Sequence, residues 1–276
     1  MGIYDDGEAY DLSTRGPYFN LWFEMIEHYL DSFLPEEGLL LDAGGGTGEF
    51  SIRAARLRKN LICENLDISE PMLIQAERKF RKNGIHNRIS TKHGDIQNLP
   101  YPSNHFDYVM CLGDAISFCP DHEIAFRELV RVTKPNGYIH LSVNSFWGNY
   151  HAMYTEKSRE MGVSFDDAKI YMETRVLHMN GQSTGCRSFT IKEFSSWADQ
   201  YKLSIEKKFA APVFPSNKAW YENSVISKEI RELQYKYCEE ENIMEFGNHL
   251  NEPATSAWTW ALLILVQVIQ DVMRLN

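Results

Sequence analysis

The sequence predicts an α/β protein built on a seven-stranded, mostly parallel sheet with helices on both faces. Three observations predict it. Short apolar runs alternate with helix-length amphipathic segments, as doubly buried strands and their crossover helices do. Four glycines crowd into "LLLDAGGGTGEF", residues 39–50, directly after the first apolar run. Acidic residues, Asp42, Asp67 and Asp95, stand at the ends of the first three runs.

Taken in order, "GPYFNLWFEMIEHYLDSF" carries Leu21, Met25, Tyr29 and Phe33 at helical spacing. "GLLLDAG" reads as the first buried strand, and "EFSIRAARL" as the helix behind the glycines. "LICENLDI" is the second strand. The helix after it is well signalled: Ser69 can cap it, Pro71 suits its first turn, and Gly84 ends it after Asn83. Met72, Ala76 and Phe80 share one face of that helix. "RISTKHGD" and "FDYVMCLGD" are the third and fourth strands. "EIAFRELVRV" is a helix, and "KPNG" turns the chain into the fifth strand, "YIHLSV". "IKEFSSWADQYK" is a further helix, "LSIEKKFAAPV" the sixth strand, and "WALLILVQVI" the seventh, by its β-branched content.

The chain is expected to be a single domain: an N-terminal helical cap (1–35), a core (36–147), and two insertions (148–190 and 214–256). Both insertions are too long for plain connections. They follow strands five and six at the ligand-binding edge of an open sheet, so they are expected to be helical lids over a substrate.

Composition narrows the function. The 43 % of hydrophobic residues supports a substantial core, and the net charge of −10 disfavours a protein that grips nucleic acid by its phosphates. Five cysteines without a CxxC pair, and no signal-peptide pattern, lead to the expectation of a reducing cytoplasm. "MGIYDD" lacks the hydroxyl residue of a myristoylation signal. "WALLILVQVI" is half a membrane span, so no membrane association is expected. No His/Cys/Asp/Glu cluster has metal-ligand spacing, and no metal is expected.

The glycines raise the question of their ligand. Gly44, Gly46 and Gly48 alternate, but the position of the last dinucleotide-fingerprint glycine is Glu49. An acid opening that helix would face a pyrophosphate where the fold reserves space for negative charge. Glu49 therefore counts against NAD or FAD. Asp67 lies about twenty residues beyond the glycines, placed to chelate a ribose diol. Asp95 can accept from an adenine amine, with Ile68 and Ile96 flanking the ring. Each acid alone reads as a loop or capping residue; together they suit a nucleoside without phosphates.

These stretches resemble the class I S-adenosylmethionine-dependent methyltransferases, in their small-molecule branch. "LLLDAGGGTG" resembles the family's first motif and "NLDISEPML" its ribose-binding motif. "KHGDIQNLPYPSNHFDYVMC" is similar to its adenine-binding segment, and "ELVRVTKPNGYIHLSV" to its passage into the fifth strand, with Asn136 in place of a glycine. The resemblance implies a Rossmann-like fold and S-adenosyl-L-methionine as cosubstrate. It implies that Gly44, Gly46 and Gly48 admit the methionine part, Asp42 holds the amino group directly or through water, Asp67 the ribose, and Asp95 the adenine. Leu112 and Gly113 would add backbone contacts, Met72 would border the site, and Tyr10 and Arg15 are candidates for the carboxylate, Arg15 through a bidentate fork.

The implied reaction is in-line displacement of the sulfonium methyl by an N, O or C nucleophile of a small metabolite, catalysed chiefly by positioning. A base is needed only where the nucleophile must lose a proton. Asp114, His151 and Tyr154 are the candidates, His151 for an imidazole that titrates near neutrality. His178 lies in the first insertion, and Trp147, Tyr150, Trp220 and Tyr221 could wall an apolar or cationic acceptor. Alternatives are a methyltransferase of tRNA or protein, a non-catalytic S-adenosylmethionine-binding partner protein and, least favoured, an oxidoreductase. A homodimer is a further expectation.

Overall fold

The computed structural model describes residues 3–153, 162–211, 224–240, 244 and 261–268. Two helices, α1 (Gly7–Ser13) and α2 (Pro17–Phe33), precede the sheet. The core alternates: β1 (Glu37–Ala43), α3 (Glu49–Leu57), β2 (Asn60–Asp67), α4 (Glu70–Lys82), β3 (Ile89–His93), β4 (Phe106–Cys111), α5 (His122–Val132) and β5 (Thr133–Asn144). Then come α6 (Phe146–Met153), α7 (Phe165–Thr174), β6 (Val176–Met179), β7 (Gln182–Arg187), α8 (Ile191–Gln200), β8 (Leu203–Ala211), α9 (Ser224–Tyr237) and β9 (Ala261–Val268).

Seven strands form one sheet in the order β3-β2-β1-β4-β5-β9-β8. The first five are mutually parallel, and β9 runs antiparallel to both β5 and β8. The doubly wound, Rossmann-like architecture expected from the sequence is present. Strand period two sorts neighbours to opposite layers. Leu40, Tyr108 and Met110 join the layer of α2, α3 and α4, whereas Leu41, Val109 and Cys111 join that of α5 and α8. Helix α2 buries Leu21, Met25, Ile26 and Leu30, one stripe at helical spacing. Because the chain winds outward from β1 to β3 and then crosses back to β4, the carboxyl ends of β1 and β4 border a topological switch point.

Two expectations need correction. "KPNG" is not a free turn, because β5 already starts at Thr133 and its pairing with β4 shifts between Phe106 and Tyr108. Asn136 takes the bulge conformation with φ +66°, tolerable for Asn because its short side chain visits the left-handed region. The first insertion is also not wholly helical: β6 and β7 form an antiparallel hairpin. Its turn is Asn180-Gly181, both at positive φ (52° and 72°), as a two-residue turn with the right twist requires. The insertion has its own apolar cluster, built on Phe146, Val163, Tyr171 and Leu177. Of the second insertion, α9 is described, while Trp220 and Tyr221 lie outside the described residues. The N-terminal cap contains α1 besides α2, and Asp6 caps α1 by accepting from Glu8 and Ala9. Among the described residues, no helix is long and apolar enough to cross a membrane.

Candidate active site

The glycine loop between β1 and α3 forms the floor of a pocket at the switch point. Gly44 and Gly45 donate their N–H groups to the Leu66 carbonyl at 2.8 and 3.0 Å, which ties the loop to β2. Gly44, Gly46 and Gly48 have φ of 72°, 52° and 76°, where a side chain is strained. A methyl group on Gly44 would stand 2.5 Å from the Ala115 Cβ and close the pocket floor. On Gly46 it would meet only the Asp67 Oδ2, at 3.9 Å. Gly46 is thus the place where a ligand can approach bare backbone.

Asp67 ends β2 and faces that opening. Its Oδ2 accepts from the Gly46 N–H at 2.8 Å and its Oδ1 from the Ser69 N–H at 2.8 Å. Burial raises its pKa, and the Ser69 and Gly46 amides offset part of that rise. Asp95 lines the same pocket and caps the short helical turn Ile96–Asn98 by accepting from the Gln97 N–H at 2.8 Å. Its capping role and its place in the wall coexist, since a carboxylate has lone pairs for both.

The cap closes one side. Tyr4 and Tyr10 enter the pocket wall with ring centroids 5.9 Å apart, and Tyr4 packs edge-on against Phe118. The Ser69 hydroxyl donates to the Tyr4 carbonyl at 2.7 Å. Asp11 on α1 is the main polar anchor. It accepts from the Thr47 hydroxyl (2.6 Å), the Lys79 ammonium (2.9 Å) and the Gln75 amide (3.0 Å). Lys79 also reaches Glu49 at 3.3 Å, so one cation joins the cap, the glycine loop and α3. Four acids, Asp11, Glu49, Asp67 and Asp95, stand among the described lining residues, and no Lys or Arg does. This wall suits a ligand with cationic centres and no phosphate.

Comparison with known proteins agrees. The sequence model of a family described as "Methyltransferase domain" matches residues 40–137, the stretch that builds β1 through the start of β5. Residues 40–137 are thus a methyltransferase domain. A demethylmenaquinone methyltransferase of Lactobacillus johnsonii is 28 % identical over 188 residues, covering 61 % of this chain and 75 % of that protein. One of Geobacillus stearothermophilus is 38 % identical over 98 residues, 35 % of this chain and 41 % of that protein. Among solved structures, an S-adenosylmethionine-dependent methyltransferase of Methanosarcina mazei superposes with a TM-score of 0.59 at 18 % identity, covering 88 % of this chain and 98 % of its own. Geranyl diphosphate methyltransferase in complex with S-adenosylmethionine gives 0.55 at 14 % identity, covering 88 % and 84 %. At such identities the superpositions speak for the fold.

In the methyltransferase, ten of the residues expected at the cosubstrate site line this one pocket: Tyr10, Gly44, Gly46, Asp67, Ile68, Met72, Asp95, Ile96, Leu112 and Gly113. Three others stand elsewhere. Asp42 is wholly buried beneath the loop, its Oδ2 accepting from the Ser51 hydroxyl at 2.7 Å, and burial pushes its pKa up to about 7. Gly48 lies behind the loop, where a methyl group would collide with the Phe80 ring of α4. Its missing side chain serves helix packing and not ligand approach. Arg15 is exposed and outside the pocket wall, because α1 ends at Ser13 and leaves it in the link to α2.

Among the catalytic candidates, the His151 side chain and Tyr154 lie outside the described residues, and Asp114 is buried just behind the wall. His178 is held within its hairpin by Nδ1, 2.9 Å from the Val176 carbonyl. Trp147 and Tyr150 pack against the insertion's own apolar cluster. Sequence reasoning missed Tyr4, Asp11 and Thr47. Asp11 carried a usable signal, as the acid following Tyr10 in a short segment that Asp6 can cap.

Proposed function

We propose that the methyltransferase holds S-adenosylmethionine in this pocket and transfers its methyl group to a small organic acceptor that enters beside α6 and the β6–β7 hairpin. The observation that carries the reading is a wall whose charged residues are all acidic, set around a bare glycine backbone. It fits a cosubstrate with a sulfonium, an α-amino group and a ribose diol, and it repels a dinucleotide pyrophosphate. The cosubstrate would supply an activated methyl on a good leaving group.

The chain's own residues do the rest. Asp67, steadied by two backbone amides, accepts the ribose hydroxyls. Asp95 accepts the adenine amine, between Ile68 and Ile96. Gly46 admits the methionine portion, Leu112 and Gly113 offer backbone groups near it, and Met72 and Tyr10 exclude water. Asp42 acts from below, holding the loop through Ser51. The two insertions act as substrate lids. Five unbridged thiols fit a reducing, cytoplasmic setting. Sedimentation of the pure chain would test for a homodimer.

Calorimetric titration tests the pocket. S-adenosylhomocysteine should bind in the micromolar range and NADH should not. No binding of the former at millimolar concentration refutes the reading. Labelled S-adenosylmethionine incubated with a metabolite extract, and separately with total tRNA and protein, tests the acceptor; label confined to macromolecules refutes the small-molecule acceptor.

A further inference from the structure

Asp114 follows β4 between Gly113 and Ala115, both of which line the cosubstrate pocket. It sits at φ +61°, in the left-handed region that a short Asp side chain tolerates, and its N–H donates to the Ser142 Oγ at 2.9 Å. The side chain is wholly buried, and neither carboxyl oxygen has a hydrogen-bond partner among the described residues. Ser142 lies close enough to ease a charge there, but its hydroxyl makes no hydrogen bond to either oxygen. Burial dominates and raises the carboxyl pKa to about 7.

Every titratable group described as facing this carboxyl is neutral near pH 7. Tyr4 and Tyr10 approach from the cap, Cys186 from β7 and Cys111 from β4, and burial raises the pKa of each, that of Tyr10 to about 12. None brings a positive charge. Behind Cys186, the Asn144 amide donates to its sulfur at 3.1 Å, and Asn149 donates to the Ser188 Oγ at 2.8 Å. The Asn149 Oδ1 is also buried without a partner. The two Asp114 oxygens are therefore unmatched acceptors just behind the pocket wall, and among the described groups facing them none is a cation. Tyr4 and Tyr10 belong to both the pocket wall and the surroundings of Asp114, and their rings offer faces to a cation.

We propose that Asp114 is the anionic end of the acceptor-side subsite of the methyltransferase and takes an amine whose nitrogen receives the methyl group. This rests on the reading of the adjoining pocket as the S-adenosylmethionine site. The amine arrives as an ammonium ion and pairs with the Asp114 carboxylate. One N–H proton passes to a carboxylate oxygen, and the freed nitrogen lone pair forms the new bond to the methyl carbon. The electron pair of the breaking C–S bond stays on sulfur as a thioether, and the product leaves as a methylated ammonium ion. Strand β7, which brings Cys186 up to Asp114, thereby contributes to acceptor specificity.

The test uses the full chain saturated with S-adenosylhomocysteine, titrated calorimetrically with 2-phenylethylamine and with its neutral isostere 2-phenylethanol. The amine should bind at least about tenfold more tightly, and Asp114→Asn should abolish that preference while changing S-adenosylhomocysteine affinity less than about twofold. Titration at pH 7 in buffers of different ionisation enthalpy should show about half a proton released per amine bound, from the carboxyl that ionises on pairing, and none in the variant. The proton count on the unmutated chain needs no variant to fold. The proposal is overturned by absent or equal binding of the two probes, by a preference for the alcohol, or by an Asn variant that keeps the amine preference. Loss of S-adenosylhomocysteine binding in the variant equal to its loss of amine binding also overturns it, since Asp114 would then be structural. Failure of the unmutated chain to bind S-adenosylhomocysteine would instead strike the reading of the pocket.

Discussion

Replacing Gly48 by alanine separates packing from ligand approach within one loop. Two costs add. The residue sits at φ +76°, and holding a side chain in the left-handed region costs about 1–2 kcal/mol. The new methyl would stand 2.5 Å from the Phe80 Cε1 and 3.4 Å from the Ala76 Cβ, and forcing it into a packed layer costs about 1–3 kcal/mol. Together they lower stability by about 2–5 kcal/mol, a fall in Tm of about 4–20 °C at roughly 2–4 °C per kcal/mol. Differential scanning fluorimetry reads it directly. Adding Phe80→Leu removes ring atoms from the collision and should recover about 1 kcal/mol, a coupling that additive mutations would not show. Gly46→Ala is the counterpart, because its methyl meets only open space and the Asp67 Oδ2. It should cost little beyond the backbone strain, yet weaken S-adenosylhomocysteine binding more than Gly48→Ala does. The reasoning fails if Gly48→Ala keeps the Tm within about 1 °C, or if it loses ligand affinity at unchanged stability.

Three further outcomes are expected. Asp67→Asn keeps shape but removes the charge that strengthens two hydroxyl hydrogen bonds, about 1.5–3 kcal/mol, so S-adenosylhomocysteine should bind roughly ten- to a hundredfold more weakly by calorimetry. Lys79→Met cuts the partly buried link from α4 to Asp11 and Glu49; amide exchange in α1 should quicken roughly fivefold, as a loss of about 1 kcal/mol implies. Asp114 and Asp42, each raised to about 7, keep their protons in the folded chain when the unfolded chain has lost them. Stability should therefore fall as pH rises from about 4 to 7 and then level off. Asp114→Asn should shallow that fall and leave Asp42's share, and a Tm profile identical to that of the unmutated chain would contradict it.

Much of the fold was legible because doubly buried strands leave continuous apolar runs, and Leu39–Leu41 or Val109–Cys111 permit little else. The hairpin was harder. "QSTGCR" exposes four of its six residues and carries no alternation. Its one signal was local, the Asn180-Gly181 pair whose two left-handed residues set a tight turn. The site divides similarly. Asp67 was found because it ends β2, and Asp95 because it follows β3 by two residues, both at the carboxyl edge of the sheet. Asp42 and Gly48 carry the same motif spacing, yet face the layer beneath, Asp42 against Ser51 and Gly48 against Phe80 of α4; the period of two that sorts faces along a strand does not carry through the loop. Asp11 was missed because its partners Thr47, Gln75 and Lys79 lie 36 to 68 positions along the chain, and no local pattern reports such a meeting.

The antiparallel β9 has a consequence for the order of assembly. It lies between β5 and β8, bonding to both, although no described strand follows it in the chain. On a ribosome, β1 to β5 and their helices can dock as they emerge, while β8 has no neighbour to bond until residues 261–268 arrive. The half of the sheet that carries the cosubstrate pocket should thus mature early. The sheet's far edge waits for a late long-range closure, and until then β5 presents an open flank to which a chaperone, or a second nascent chain, could add a strand.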